Sequence, residues 1–412
     1  MPSKVKFKYV PYREASFVEI RRGGFAFVDK TQYIEALEHH STHHPLIVRP
    51  PRSGKTLFTS ILQAYYDKAA SGAFDAIFSD TYIGEHRTAL ASQFYALRLN
   101  FSTIHSGQFL NGFKRQIKDG IADFCSRYKF DKGYELIEKN NNNDPVLLLS
   151  GFFIYFQRCF KGKIYLIIDD FDGLASAENA TTIEQTESLT EQKSLLSTFF
   201  FFLKEKAEDG VIKRSFITST SISLPEQVST LFSFAVNLSC HPAFSTMFGF
   251  TEEELRQFIP QTVDLEKHVL SVDDVISLLR KRCDSYRFCP TIASSVYNAA
   301  DCLAYLTHLQ VWGRMSNHLK DPSMLPDLSV FHHILKMSCP EKATAFLSHV
   351  SQHEQIPFGQ LPIVLDRSSN GRLTSAGMLS SLFYHGYLTY TPEKNKNLVV
   401  PPCMPKQLLS NV

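Results

Sequence analysis

The sequence predicts an α/β fold in which a parallel sheet flanked by helices is followed by a helical lid and a C-terminal α+β segment of winged-helix outline. Three observations predict it. Arg49-Pro50-Pro51-Arg52-Ser53-Gly54-Lys55-Thr56 lies between an apolar triplet, Leu46, Ile47 and Val48, and an amphipathic run. Further on, Lys163-Ile164-Tyr165-Leu166-Ile167-Ile168 runs into Asp169-Asp170-Phe171-Asp172-Gly173. Near the end, a short helix over Ser375 to Tyr384 precedes Tyr387–Tyr390 and Leu398–Val400, which flank the polar Glu393–Asn397.

The first segment reads as a phosphate-binding loop between a strand and a helix. Backbone N–H groups at a new helix N-terminus point at the phosphates, and the helix dipole favours their charge. Arg49, Pro50, Arg52, Ser53, Gly54, Lys55 and Thr56 are then the nucleotide-binding set. Lys55 reaches the β- and γ-phosphates and the Thr56 hydroxyl ligates Mg2+. The general pattern G-x-x-x-x-G-K-[ST] asks for glycine where Arg49 stands, a position at which glycine lets the backbone turn tightly. The competing reading is a glycine-containing helix start with a solvated lysine.

The second segment is β-branched and continuously apolar, as in a strand buried on both faces. Ligands in an open α/β sheet collect at the carboxyl ends of the strands. Asp169 there is a candidate metal ligand for Mg2+, and Asp170 takes the place of the carboxylate that polarises an attacking water. A solvated acidic turn after a core strand is the plainer account. The two motifs in this order favour a P-loop NTPase. Another strand near Arg214–Thr218 puts Thr218 and Ser219 at its carboxyl end, where Thr218 senses the γ-phosphate or orients water. A strand that merely ends in polar residues explains them equally well.

At 412 residues the chain has room for two or three domains. The expected division is 1–248 for the NTPase core with an N-terminal extension, 249–320 for the lid and 321–412 for the C-terminal domain. A hydrophobic content of 44% with 20% charged residues is that of an ordinary globular protein. The net charge of +2 gives no global argument for nucleic acid, membrane or acidic substrates. No apolar segment approaches the roughly 20 residues that span a bilayer, so no membrane partner is expected. The N-terminus lacks the features of a signal peptide. The eight cysteines show no C-x-x-C pair or zinc spacing, which fits reduced thiols in an intracellular protein, cytoplasmic or nuclear. His39, His40, His43 and His44 have the i, i+4 spacing of a metal site, but no Cys or carboxylate completes a ligand set, and a solvated connection is simpler.

The remaining elements follow in order. A helix runs from about Gln32 to Glu38, and Leu57, Ile61 and Tyr65 share a face of the helix after the loop. Tyr95–Phe101 reads as a strand. Asn140–Asn143 with Asp144-Pro145 reads as a loop, and 147–160 as an apolar helix. Ala177–Ser194, rich in Thr, Glu, Gln and Ser, has little to bury and reads as an exposed insertion. Glu191-Gln192-Lys193 within it has the spacing of half a nuclease motif, but no strand carries it. The run Phe199–Phe202 belongs on a buried helix or its packed edge. Thr251 with Glu254 three residues on is a capping box, and the helical pattern continues to about Lys320. Domains of winged-helix outline bind DNA or protein; Lys394 and Lys396 at the tip lean toward an anionic partner.

Taken together, several stretches resemble the AAA-ATPase-like family, a P-loop module often fused to a PD-(D/E)XK nuclease. They are Phe27-Val28-Asp29-Lys30-Thr31, the R-P-P-R-S-G-K-T loop, Leu97–Ser102, Ile168–Asp172, Gly249–Leu255, Asp284–Phe288 with Val296–Asn298, and Gly386–Thr389. In that family an Arg-Pro-x-Arg start replaces the first glycine of the loop. The resemblance implies that Asp29 and Lys30 lie near the nucleotide and that Arg287 is a lid-borne γ-phosphate sensor, with a buried structural ion pair as the competing account of Arg287.

Three departures stand out. Asp170 stands where the family has Glu, Asn100 where it has Asp, and Ser219 where it has Gly. The first withdraws the catalytic carboxylate by one methylene, and a misplacement of about 1 Å can cost about 10²-fold in rate. The chain also stops about where the nuclease would begin; Pro326-Asp327 is followed by no E-x-K on a strand, so nuclease activity is not carried over. The expected function is an intracellular ATP-binding protein that hydrolyses ATP slowly as a conformational switch. ATP is preferred over GTP because no N-K-x-D motif is evident. The alternatives are a nucleotide-stabilised module without hydrolysis, gripping protein or nucleic acid through its C-terminal domain, and a nuclease supplied in trans.

Overall fold

The computed structural model describes residues 7–104, 109–130, 144–171, 183–220, 235–283, 285–313, 328–352, 355–358, 361, 366–368, 371–393 and 397–401. The chain forms two compact units: Ile34–Val48 with Thr59–Leu238, and Met1–Tyr33 with Arg49–Phe58 and Ser239–Val412.

The first unit is built on one five-stranded sheet in the order β2-β3-β4-β1-β5, every pairing parallel. The strands are β1 (Pro45–Val48), β2 (Tyr95–Asn100), β3 (Ile164–Asp169), β4 (Ile212–Ser219) and β5 (Val236–Asn237). The helix α1 (Lys55–Tyr66) follows the loop after β1, and α2 (Phe109–Arg127) packs on β2. Every residue of β3 is buried, as its uninterrupted apolar run requires of a strand with neighbours on both sides. β4 lies between β1 and β3, with Val48 opposite Ser219 and Ile168 opposite Ile217. Thr218 therefore stands beside the end of β3.

Two expectations are corrected here. Asp144-Pro145 is the start of α3 (Pro145–Cys159) rather than a loop: the Asp144 carboxylate accepts from the Val146 and Leu147 amides, and proline suits the first turn. Of the insertion expected over Ala177–Ser194, residues 177–182 lie outside the described residues, and from Ile183 the chain is helical, within α4 (Ile183–Glu208). Its Glu, Gln and Lys residues are good helix formers, and they extend a helix that packing anchors farther on. Glu191–Lys193 therefore lies on a helix. Of the four phenylalanines, Phe199, Phe200 and Phe202 are buried and Phe201 is exposed. Four consecutive residues sweep the whole circumference of a helix, and α4 contacts both β4 and α3. The Phe113 ring meets Phe199 at 5.2 Å and the Phe153 ring meets Phe202 at 5.5 Å. The Asn140–Asn143 tract lies outside the described residues.

The second unit has a core in which Val10 and Ala26 join Phe250, Leu255, Phe258, Ile276 and Leu306. The N-terminal segment is tied in by backbone bonds from Lys8 to Gln261 and from Ala26 to Tyr9. Next come α5 (Glu252–Thr262), α6 (Val272–Arg282) and α7 (Ala299–Trp312). Thr251 and Glu254 form both bonds of the capping box. The helical run expected as far as Lys320 is interrupted by an antiparallel pair, β6 (Ser285–Tyr286) and β7 (Val296–Tyr297). Pro290 and the β-branched and aromatic residues around it account for the break. Last come α8 (Leu328–Met337), α9 (Pro340–Ser351), α10 (Ser375–Tyr384) and an antiparallel pair, β8 (Thr389–Tyr390) with β9 (Leu398–Val399). Asp284, Pro326-Asp327, Lys394 and Lys396 lie outside the described residues. Among the described residues no helix is long and apolar enough to cross a membrane.

Candidate functional site

Residues 49–54 link the end of β1 to the start of α1. Arg52 and Gly54 have φ of +61° and +103°. A Cβ at Gly54 would meet open space, so glycine is needed for the backbone conformation alone. Five consecutive carbonyls of the loop are held by protein donors. Lys55 Nζ donates to Arg49 O and Pro50 O, each at 3.1 Å. Asn298 Nδ2 donates to Pro51 O at 3.2 Å, the Ala300 amide to Arg52 O at 3.3 Å and the Gly249 amide to Ser53 O at 3.0 Å. The helix then takes over, with the Phe58 amide on Gly54 O at 3.1 Å.

In a planar trans peptide the C=O and the following N–H point opposite ways. Each amide that follows one of these carbonyls therefore points away from the group that holds it. Pro50 and Pro51 have no N–H, so the amides concerned are those of Arg52, Ser53, Gly54 and Lys55, at the start of a helix. Among the described residues no acceptor meets the N–H of Arg52, Ser53 or Gly54. Successive amides at a helix N-terminus are what an anion requires. Thr56, the second residue of α1, is half-buried.

The other expected contacts in this unit have different partners. Arg49 is fully buried; its Nη1 donates to Ser239 O at 2.7 Å, its Nη2 to Phe244 O at 2.9 Å, and its guanidinium stacks on the Phe288 ring. Burial pulls its pKa down to about 10, against the opposing pull of Cys240, Tyr384, Tyr33 and Cys289. Arg49 therefore anchors the loop through its side chain. Lys30 Nζ is paired with the Glu254 carboxylate at 2.7 Å and donates to Thr246 O at 2.8 Å. Burial lowers its pKa and Glu254 opposes the fall. Asp29 accepts from the Thr31 amide at 2.8 Å. Arg287 Nε donates to Ala293 O at 2.8 Å, while its backbone bonds Thr389 Oγ1 and the Tyr390 amide. Gly249 has φ +82°, and a Cβ there would lie 2.5 Å from Tyr297 O. Phe250 and Tyr297 exchange both backbone bonds. The stretches that carry the sequence resemblance thus bond to one another: 27–31 to 249–255, 249–255 to 296–298, 284–288 to 386–389, and two of them to the loop.

In the sheet unit the centre is Asp169, which is fully buried. Thr218 Oγ1 donates to its Oδ1 at 2.7 Å. Thr59 Oγ1 donates to Oδ2 at 3.1 Å, and Arg98 Nη2 to the same oxygen at 2.7 Å. As placed, Asp169 does not fit the metal role expected of it: three donors, one carrying a full charge, already occupy the carboxylate. The Thr218 hydroxyl is likewise directed at Asp169 rather than at a phosphate. Asp170 has φ +52°, a strained conformation for a residue with a side chain, and its amide lies 3.4 Å from Thr218 Oγ1. Among the described residues no group of three or more His, Cys, Asp or Glu is placed to hold a metal ion.

Arg98 and Thr59 were missed from the sequence although each left a signal. Arg98 is a charge between Leu97 and Leu99 in a strand, and such a charge needs a counter-ion. Asn100 pairs with Asp169 in register, and Arg98 shares the face of Asn100 two residues back. Thr59 lies one helical turn beyond Thr56.

Comparison with known proteins gives a family. Residues 11–224 match the family described as predicted AAA-ATPase. The chain belongs to that family. The family is one of predicted ATPases, which supports an ATP-binding P-loop protein. No curated protein matches the chain. Among solved structures, the chain is similar to the Aeropyrum pernix ORC1 protein in complex with DNA, at 11% identity and a TM-score of 0.34, with 100% of this chain and 94% of that chain covered.

Proposed function

We propose that this protein is an ATP-binding conformational switch that hydrolyses ATP slowly. The supporting observation is the accounting of the loop: amides 52–55 follow carbonyls that Gly249, Asn298, Ala300 and the first turn of α1 hold. A phosphate bound by those amides and by Lys55 acts on the same peptide planes that bond to the start of α7. Occupancy of the loop is thereby felt at the helical segment, which is the differential contact a switch needs. Asp170, left-handed at the end of β3, orients the attacking water in this reading, and its shortness relative to Glu keeps turnover slow. Lys30, Asp29 and Arg287 support the loop's surroundings. The C-terminal helices and hairpin, of winged-helix outline, engage a protein or nucleic-acid partner.

A second reading, nucleotide binding without hydrolysis, is favoured by the three donors on Asp169. Phosphate release and ATP affinity of wild type, Lys55→Ala and Asp170→Glu separate the two. The switch predicts slow release by wild type, faster release by Asp170→Glu, and about 10- to 100-fold weaker ATP binding by Lys55→Ala. Release by wild type no faster than by Lys55→Ala, with ATP bound, leaves the second reading. ATP that fails to raise the melting temperature of wild type removes both, since a ligand at 100 times its Kd adds about 2.7 kcal/mol.

A further inference from the structure

The Asp169 carboxylate is at the bottom of the sheet's ligand end with no exposure, and a buried charge there needs a compensating charge. The chain itself supplies one. Arg98 Nη2 is 2.7 Å from Asp169 Oδ2, and the Arg98 side chain is 22% exposed, so only the carboxylate is fully withdrawn from water. The placement is fixed by the backbone: β2 and β3 pair in unbroken register from Tyr95 opposite Ile164 to Asn100 opposite Asp169. Thr59 and Thr218, both buried, fix the carboxylate from two other elements, one on each oxygen.

We infer that Arg98 is the resident counter-ion of Asp169 and keeps a divalent cation off that carboxylate, so that ATP binding by this chain does not depend on Mg2+. A second cation at Asp169 would meet the guanidinium at close range, where repulsion in a partly buried site is strong. It would also have to displace a charge-assisted bond of optimal length. The phosphate charge is then met by the loop amides and Lys55. This inference rests on the proposed nucleotide binding at the loop, and its test is arranged so that the two fail separately.

ATP affinity is measured by calorimetry in Mg2+ and in EDTA for wild type, Arg98→Gln and Asp169→Asn. Melting temperature is measured with Mg2+ alone, without nucleotide. Wild type is expected to bind ATP with a Kd that changes by less than about threefold between the two buffers, whereas Arg98→Gln gains at least about tenfold from Mg2+. Arg98→Gln melts about 6 °C or more below wild type, because it leaves a buried charge unpaired. Mg2+ alone restores part of that loss in Arg98→Gln and does nothing for wild type or for the double variant Arg98→Gln/Asp169→Asn. If Arg98→Gln does not fold, Asp169→Asn answers instead: its ATP affinity in Mg2+ matches that of wild type.

A wild-type affinity that falls tenfold or more in EDTA, or an Asp169→Asn variant that loses Mg2+-dependent affinity, overturns the inference. Absence of ATP binding by wild type in both buffers removes the proposed function, and the melting series with Mg2+ alone still decides whether Arg98 guards Asp169.

Discussion

The guanidinium carbon of Arg49 stands 4.1 Å from the centroid of the Phe288 ring, and both side chains are buried. An arginine in place of the usual first glycine of a phosphate loop thus has a structural account. Its planar fork serves two backbone carbonyls while its face serves the ring, a combination lysine cannot reproduce. Arg49→Lys is expected to destabilise the protein by about 2–3 kcal/mol, and Phe288→Leu by about 1 kcal/mol, in urea unfolding. Equal midpoints for wild type and Arg49→Lys would contradict this.

Lys30 and Glu254 make the second long-range tie. Each is more buried than a surface ion pair, and Glu254 also closes the capping box by accepting from the Thr251 amide. Lys30→Met is expected to cost about 2–4 kcal/mol because it strands a carboxylate, and the double variant Lys30→Met/Glu254→Leu less than the sum. A double-mutant cycle in denaturant measures the coupling; additivity would rule the pairing out.

Gly249 tests the backbone demand. Gly249→Ala adds a methyl at 2.5 Å from Tyr297 O in a left-handed conformation. A loss of about 2–4 kcal/mol is expected, accompanied by weaker ATP binding because the backbone shift that relieves the clash moves the residue 249 amide off the Ser53 carbonyl. Thermal melts with and without ATP read both effects.

His44 gives a pH dependence. Its imidazole hydrogen-bonds Ser215 Oγ at 3.0 Å, and burial, then the neighbouring His43 and Arg214, lower its pKa from the ordinary 6.5 to about 4. The folded protein thus holds it neutral where the unfolded chain would take a proton. Its contribution is complete above about pH 6.5 and is lost as pH falls toward 4. Stability measured from pH 7.5 to 4.5 is expected to decline through that window in wild type and to decline less in His44→Gln.

Much of this architecture was legible in the sequence, for reasons that differ by element. β3 was read correctly because five apolar residues with an acidic end have few other uses, and the α5 start because a capping box is a local rule. α4 was misread over 183–194 because polar residues with good helix propensity look like an insertion until packing elsewhere is known. The hairpin at 285–297 was absorbed into a helical run because its strands are two residues each, too short for alternation to show. The loop between β1 and α1 was legible from the Gly54-Lys55-Thr56 end and the apolar triplet before it, whereas Arg98 was passed over because only strand register brings it to Asp169. Lys30 and Arg287 were assigned by resemblance to the neighbourhood of the nucleotide; their side chains bond Glu254 and a backbone carbonyl.

The supports of the loop also bear on how the protein can be cut. The stretch matched to the family ends at residue 224, yet the donors on Pro51, Arg52 and Ser53 come from residues 298, 300 and 249. A fragment ending at 224 would keep every letter of the motif and lose three of the clamps that shape it. Excised for expression, such a piece would spell a nucleotide site without building one.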